Sequence, residues 1–340
     1  MIYRSKAPLR IGLAGGGTDV SPYCDLFGGA ILNATISLYA YASIEPMPQE
    51  VIIIEAIDRT DKATYPLSST LPIDGHLALA KGVYNRIVSQ YGPVPSGFKL
   101  TSYVDAPAGS GLGTSSTLVV ALIGAFAEWL KLPLGEYDIA HMAFEVERIE
   151  LAMAGGKQDQ YAATFGGVNF MEFYKDDTVI VNPLRIKKQY LYELENNLLL
   201  YFTATSRLSS TIIEAQSKNV TDNNTVSIEA MHQLKEQSRM MKEALLKGKL
   251  NDIGPILDFG FKHKKRMAAG ISNDLMDELY DTALKAGATG GKITGAGGGG
   301  YMMFYCPGNS NYYVRQALAR YGGTFNNYQF TDRGLATWSV

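Results

Sequence analysis

The chain has 340 residues, with 31 Lys and Arg against 33 Asp and Glu and a formal net charge of −2, so it carries no electrostatic footprint for nucleic acid or a membrane surface. Hydrophobic residues make up 46% of it, and the length suits about two domains, each able to build a core. Cys24 and Cys306 are its only cysteines, which excludes a disulfide framework or a cysteine metal cluster and suits a reducing, cytoplasmic setting.

Taken in chain order, MIYRSKAPLRIGLAGGG has no long apolar core and makes a poor signal peptide. Residues Ile2 to Leu13 read as a first strand, ended by Gly15, Gly16 and Gly17 and followed by Thr18 and Asp19. Three glycines before a Thr-Asp pair suggest backbone held close to a polar ligand. Asp19 suits two jobs equally well, accepting hydrogen bonds from sugar hydroxyls or capping the next helix. Ala30 to Ile44 and Val51 to Ile57 are rich in β-branched and aromatic residues and predict strands, broken by Pro46 and Pro48. Asp74 to Gln90 predicts a helix with Asp74 as its cap.

A strand over Phe98 to Val104 then leads into PAGSGLGTSST, Pro107 to Thr117, and an apolar helix over Leu118 to Leu130 that is too short to span a bilayer. Gly109, Gly111 and Gly113 let the backbone bend tightly against a ligand. Thr114, Ser115 and Ser116 stand where the helix begins, so free N–H groups and the positive end of the helix dipole point into the loop, a ready site for phosphate. The stretch has no Lys and so is not a P-loop, and its third glycine comes too early for a dinucleotide fingerprint. The alternative is a plain glycine-rich turn between strand and helix.

Asp138 to Met153 has helical spacing, with Glu145, Glu147 and Glu150 on or beside its apolar stripe. GGKQDQYAATFGG, Gly155 to Gly167, is an unusual polar insert among buried elements, and Asp159 is its candidate catalytic carboxylate. Val168 to Tyr174 and Val179 to Val181 predict a hairpin turning at Lys175-Asp176-Asp177. Composition shifts after Pro183, which divides the chain into residues 1–185 and 186–340. In the second part Leu198 to Thr203 predicts a strand followed by Thr205-Ser206-Arg207, and Ser227 to Lys247, Asp252 to Ala268 and Asn273 to Ala286 predict helices. GGKITGAGGGGYMMFY, Gly290 to Tyr305, is a glycine-rich turn entering a strand, and a helix over Asn311 to Arg320 and a strand over Gly323 to Phe330 complete the chain. The histidines at 76, 141, 232 and 263 are scattered and form no metalloprotease pair.

Glycine-rich segments near 15, 110 and 297, in a chain of two domains, suit the lining of a cleft between them. With PAGSGLGTSST as the most specific of the three, the chain resembles the GHMP small-molecule kinases along nearly its whole length. APLRIGLAGGGTD, ERIELAMAGGKQDQYAATFGG, TSRLSS and KITGAGGGGYMMF bring it nearest to the members that phosphorylate the anomeric hydroxyl of D-glycero-D-manno-heptose 7-phosphate, while fucose kinases share the GGG-T-D and Q-D-Q features. The resemblance implies an α+β fold of two α/β domains. The first contains a left-handed βαβ element, the second is ferredoxin-like, and the active site lies in the cleft between them.

The resemblance also implies roles. Pro107, Gly109, Ser110, Gly111, Leu112, Gly113, Thr114, Ser115 and Ser116 would hold ATP, with Ser115 and Glu147 on Mg2+ and Glu150 as a rival ligand. Asp159 would orient and deprotonate the sugar hydroxyl, and Arg10, where several members carry Lys, would stabilise the transferring group, with Lys6 a second cation nearby. Gly16, Gly17, Thr18, Asp19, Gln158, Gly297 and Gly298 would meet the sugar. For the sugar's own phosphate Arg207 comes first. Lys264 and Lys265 come second, with a solvated helix face as their more natural reading, and Lys157 is a further choice. The implied partners are ATP and a small sugar phosphate, and a homodimer is compatible. Other outcomes left open are a free-sugar kinase, a diphosphomevalonate decarboxylase, and a non-catalytic sugar and ATP sensor.

Overall fold

The computed structural model describes residues 1–205 and 209–340. In the first half the β-branched and aromatic runs form β1 (Tyr3–Ala14), β2 (Gly29–Met47), β3 (Val51–Ala56), β4 (Asp61–Pro66), β5 (Gly97–Val104), β6 (Val168–Phe173) and β7 (Val179–Pro183). The second half contributes β8 (Leu198–Phe202), β9 (Gly290–Ile293), β10 (Tyr301–Tyr305), β11 (Thr324–Phe325) and β12 (Ala336–Ser339). The helices are α1 (Tyr23–Phe27), α2 (Ala78–Tyr91), α3 (Thr114–Leu130), α4 (Glu136–Phe144), α5 (Gln158–Phe165), α6 (Lys188–Asn197), α7 (Ser209–Thr221), α8 (Thr225–Lys247), α9 (Ile253–Lys264), α10 (Asp274–Lys285) and α11 (Ser310–Leu318).

Among the described residues, one sheet has eight strands in the order β12-β1-β2-β5-β3-β4, with β6 also on β2 and β7 on β6. The length of β2 explains this branching. Its first part, Gly29 to Ala34, pairs with β6, and its last part, Ala40 to Met47, pairs with β5, while β1 runs along its other edge. β3 lies parallel to β5, and β4 and α2 make the crossover between them. The second sheet is antiparallel throughout, in the order β11-β8-β10-β9.

α3 has no charged residue before Glu128, and it is buried on nearly every side, as an apolar helix must be. It packs on β1 and β2 together with Val83 and Ile87 of α2 and Met142 and Val146 beyond it. A second core joins the two sheets. Leu9, Ile11 and Leu13 of β1 and Leu32 of β2 meet Met241 and Leu245 of α8, Leu257 of α9, Leu200 of β8 and Met303 of β10. An apolar interface of that kind holds the two halves in register rather than leaving them loosely hinged.

Three sequence expectations need correction. Asp74 does not cap α2, whose N-cap is Leu77; the Asp74 carboxylate instead pairs with Lys81. The helix expected to run to Met153 loses α-geometry at Glu145 and continues as a π-helical turn, Glu145–Glu150. The strand expected over Gly323 to Phe330 is confined to Thr324–Phe325, because the following residues cross to the first sheet, where Phe330 bridges to Ile36. One strand of residues 186–340 joins the first sheet: β12 pairs with β1 from Tyr3↔Ser339 to Lys6↔Ala336. Among the described residues no helix is long and apolar enough to cross a membrane.

Candidate active site

The loop between β5 and α3 takes positive φ at Gly109, Gly111 and Gly113, at 74°, 81° and 80°. Gly113 is the N-cap of α3 and no side chain caps the helix, so its first-turn N–H groups stay available to an anion. The loop is braced from the second half of the chain. Tyr301 N donates to Ser110 O at 3.0 Å, and a Cβ on Gly111 would stand 2.7 Å from the Thr294 carbonyl oxygen. Gly109, Gly111, Gly113 and the residues Thr114, Ser115 and Ser116 line a cavity of about 470 Å³, which Gly295 and Ala296 close from the other side.

Asp159, in the first turn of α5, faces this loop. Arg10 of β1 donates through Nε to Asp159 Oδ1 at 2.7 Å and through Nη1 to Gly111 O at 2.6 Å, so one guanidinium ties the carboxylate to the glycine loop. The other carboxylate oxygen lies against Gly113, where a Cβ would come within 3.3 Å of Oδ2.

The π-helical turn sets the carboxylate beside them. Wider turns of this kind are frequent at functional sites. Here the turn sends Glu147 fully inward, while Glu145 and Glu150 both pair with Arg86 on the outside. Glu147 Oε2 accepts from Gln160 Nε2 at 2.5 Å, and that same amide donates to Ser116 Oγ at 3.1 Å. Oε1 is buried with no hydrogen-bond partner among the described residues. Burial pushes the Glu147 carboxyl up, against the pull of the Arg148 charge. Arg148 spans the opening, donating to Gly156 O at 3.2 Å and standing 3.7 Å from Glu147 Oε2.

On the side opposite the loop, Asp19 is buried and accepts from Gln158 N at 3.0 Å. Its carboxylate packs so tightly on Gly156 that a Cβ there would fall 1.9 Å from Oδ2. Burial raises the Asp19 carboxyl, and the nearby Asp159 charge adds to the rise. Two lysines approach from the second half. Lys264, at the end of α9, lines the cavity and donates to Gly295 O, and Lys292 of β9 donates to Gly12 O at 2.8 Å. Burial brings the Lys264 ammonium down to about 8, assisted by the Arg10 charge, and brings Lys292 well below its ordinary value, assisted by Lys264 and Arg10.

Residues 78–167 match the family GHMP kinases N terminal domain, and residues 241–322 match GHMP kinases C terminal. A D-glycero-alpha-D-manno-heptose 7-phosphate kinase of Campylobacter jejuni is 45% identical over 337 residues, covering 99% of both chains. The chain belongs to the GHMP kinases. A solved D-glycero-D-manno-heptose 1-phosphate kinase from Bacteroides thetaiotaomicron superposes with a TM-score of 0.85 at 46% identity, covering 99% of each chain. The Lactococcus lactis galactokinase, at 17% identity and a TM-score of 0.80 over 98% of this chain and 95% of that one, shares the fold.

This GHMP kinase therefore brings Arg10, Gly17, Asp19, Glu147, Gln158, Asp159 and the loop residues from Gly109 to Ser116 around one cavity. Within that loop Pro107, Ser110 and Leu112 act as its frame: Pro107 O accepts from Ser110 N at 3.2 Å, and Leu112 O accepts from Arg10 N at 3.1 Å. Ser115 and Glu147 share the cavity wall, but the hydroxyl bridged to Glu147 through Gln160 is that of Ser116.

Several expected sugar contacts lie elsewhere. The Thr18 hydroxyl is used internally, between Gly15 O, Ala30 O and Ala30 N. Lys157 turns its ammonium away, 2.7 Å from Asp177 Oδ1 and 3.6 Å from Asp25 Oδ1, so it is not placed to take a substrate phosphate. Gly298 N donates to Ile271 O at 2.9 Å, and Gly297 packs on the same residue, so both sit behind the cavity wall rather than on it. Gly16 is off the wall too, facing the Lys264 and Lys292 ammonium groups. Lys6 lies over the Tyr39 ring and Lys265 pairs with Asp277, both outside the cavity. Arg207 lies outside the described residues.

Lys264, expected on a solvated helix face, is buried. Lys292 and Gln160 were not singled out at all. A lone Lys inside the otherwise apolar start of a strand, GGKITG, was the available signal for Lys292. For Gln160 it was the polar triplet at the head of a helix.

Proposed function

We propose that this GHMP kinase transfers the γ-phosphoryl group of ATP to the anomeric hydroxyl of D-glycero-D-manno-heptose 7-phosphate. The observation that carries the substrate class is the 45% identity to the Campylobacter jejuni enzyme, which extends over 99% of both chains. In this reading Asp159 accepts the hydroxyl proton as the sugar oxygen bonds to the γ-phosphorus, the bond from that phosphorus to the β–γ bridging oxygen breaks, and ADP leaves. Arg10 keeps the carboxylate aimed by holding Oδ1, which leaves Oδ2 for the proton. An anomeric hydroxyl is more acidic than an ordinary alcohol and suits a carboxylate base. The N–H groups at the start of α3 receive the nucleotide phosphates.

The chain also suits a magnesium ion. Among the described residues no cluster of three or more His, Cys, Asp or Glu stands at metal-ligand spacing. Mg2+ in phosphoryl transfer needs only one or two protein oxygens besides the nucleotide's own. The orphaned Glu147 Oε1 is one such oxygen, with the Ser115 and Ser116 hydroxyls beside it on the cavity wall. When bound, the ion neutralises charge on the phosphates. Gln160 and Arg148 hold Glu147 in place meanwhile.

The names of the two similar proteins put the phosphate on different carbons, so the test must read position as well as turnover. Purified protein with ATP and Mg2+ is offered the heptose 7-phosphate, the free heptose, fucose and galactose, and the product is assigned by phosphorus NMR. A 1,7-bisphosphate formed in preference to any free-sugar product supports the reading. Preferred turnover of a free sugar, or phosphate added elsewhere than C1, overturns it.

A further inference from the structure

Beside the cavity two buried cations stand without a paired carboxylate among the described residues. Arg10 is committed to Asp159. Lys264 and Lys292 are both buried, and among the described residues neither has a carboxylate within ion-pair distance; their ammonium groups rest on the carbonyl oxygens of Gly295 and Gly12. A Cβ on Gly16 would stand 3.8 Å from one ammonium nitrogen and 3.7 Å from the other, so the two converge on one point of the glycine turn after β1. Asp19 is the carboxylate in electrostatic reach of Lys264, and its one close partner is Gln158 N. Two desolvated ammonium groups meeting beside a third cation cost the empty protein free energy, which a bound anion offsets.

We propose that Lys264, with Lys292 behind it, is the seat of the acceptor's own phosphate. The assignment rests on the sugar-phosphate reading above. The lysines come from α9 and β9, while the surface they meet belongs to β1 and the turn after it. An anion at this seat therefore ties the two halves of the cleft together. Lys264 also holds Gly295, the residue that closes the cavity over Gly111. The charges acting on the pair are Arg10 from β1 and Asp19 from the turn, and Asp159 of α5 and Glu214 of α7 line the same cavity as Lys264. With its proton affinity lowered by burial, the lysine pair takes up protons when the anion arrives.

The test has two arms. Inorganic phosphate is titrated calorimetrically into the full chain with a non-hydrolysable ATP analogue filling the nucleotide loop, in buffers of different ionisation enthalpy. Wild type should bind with net proton uptake. Lys264→Met should weaken binding about 100-fold and remove the uptake, Lys264→Arg should restore most of the affinity, and Lys262→Met, on the exposed face of α9, should change nothing. Unchanged phosphate binding in both Lys264→Met and Lys292→Met overturns the seat.

The kinetic arm compares kcat/KM for the heptose 7-phosphate and the free heptose. A loss of about 100-fold confined to the phosphorylated sugar supports the assignment. An equal loss on both sugars means that Lys264 serves the transferring phosphoryl group, and overturns it. Lysine-dependent phosphate binding with no wild-type turnover of the heptose 7-phosphate supports the anion seat while overturning the functional reading, so the two failures are distinguishable.

Discussion

The two walls of the cavity are built from different materials. The wall we assign to the nucleotide is backbone: three glycines with positive φ, an uncapped helix start, and carbonyls locked by Thr294 and Tyr301. The wall we assign to the acceptor is side chain: Arg10, Asp19, Asp159 and Lys264, each buried or nearly so and each held by a partner from another element. A backbone wall recognises what every ATP carries and tolerates little change of shape. A side-chain wall carries ionisable groups, so it responds to pH and to the charge of the acceptor.

The largest separation of the walls should come from Asp159→Asn. It is expected to lower kcat about 10³-fold while ATP-analogue affinity, measured by calorimetry, stays near wild type. Gly111→Ala attacks the other wall. Its φ of 81° and the carbonyl 2.7 Å from the new Cβ should cost about 1–3 kcal/mol in unfolding free energy and weaken ATP binding, with the KM for sugar less affected. Glu147→Gln should raise the Mg2+ concentration needed for half-maximal rate about tenfold. Because burial disfavours the charged carboxylate, the melting temperature of that variant without magnesium should equal or exceed that of wild type.

A smaller effect follows from Lys264. Its ammonium falls to about 8 in the fold against an ordinary 10.5, so between those pH values the unfolded chain holds a proton that the folded chain has released. Stability of the empty protein should therefore gain a rising contribution across that window, and Lys264→Met should flatten it in melting curves. Smallest of all, Lys157→Met should leave the KM for the sugar phosphate within about twofold, because its ammonium serves Asp177 and Asp25. A tenfold rise would return Lys157 to the acceptor wall.

The same division explains what could be read from the sequence. Glycine spacing before an apolar helix is a local signal, so the loop from Gly109 to Ser116 was legible, as were the α+β class and the Gln158-Asp159-Gln160 insert. Asp19 and Arg10 were legible through the motifs around them. Lys264 was not, because KHKK at the end of a helix looks the same whether its face meets water or another domain; only the packing of α9 against β9 and β1 decides it. Thr18 and Lys157 show the converse: both stand inside polar motifs, but their side chains meet structural partners that the motifs do not reveal. Glu147 and Glu150 could not be separated by helical periodicity, since the π-turn shifts the register at that point.

The pairing of β12 with β1 has a consequence for biosynthesis. Ile2 and Val340 exchange two backbone hydrogen bonds, at 2.8 and 3.0 Å, and the four-residue ladder beside them joins segments more than 300 positions apart. As the polypeptide emerges from the ribosome, the first residues of β1 wait with their outer rim of amides and carbonyls uncovered until β12 arrives. Truncation of β12 should therefore show first as self-association of nascent or refolding chains, before any loss of phosphate transfer by the molecules that do fold.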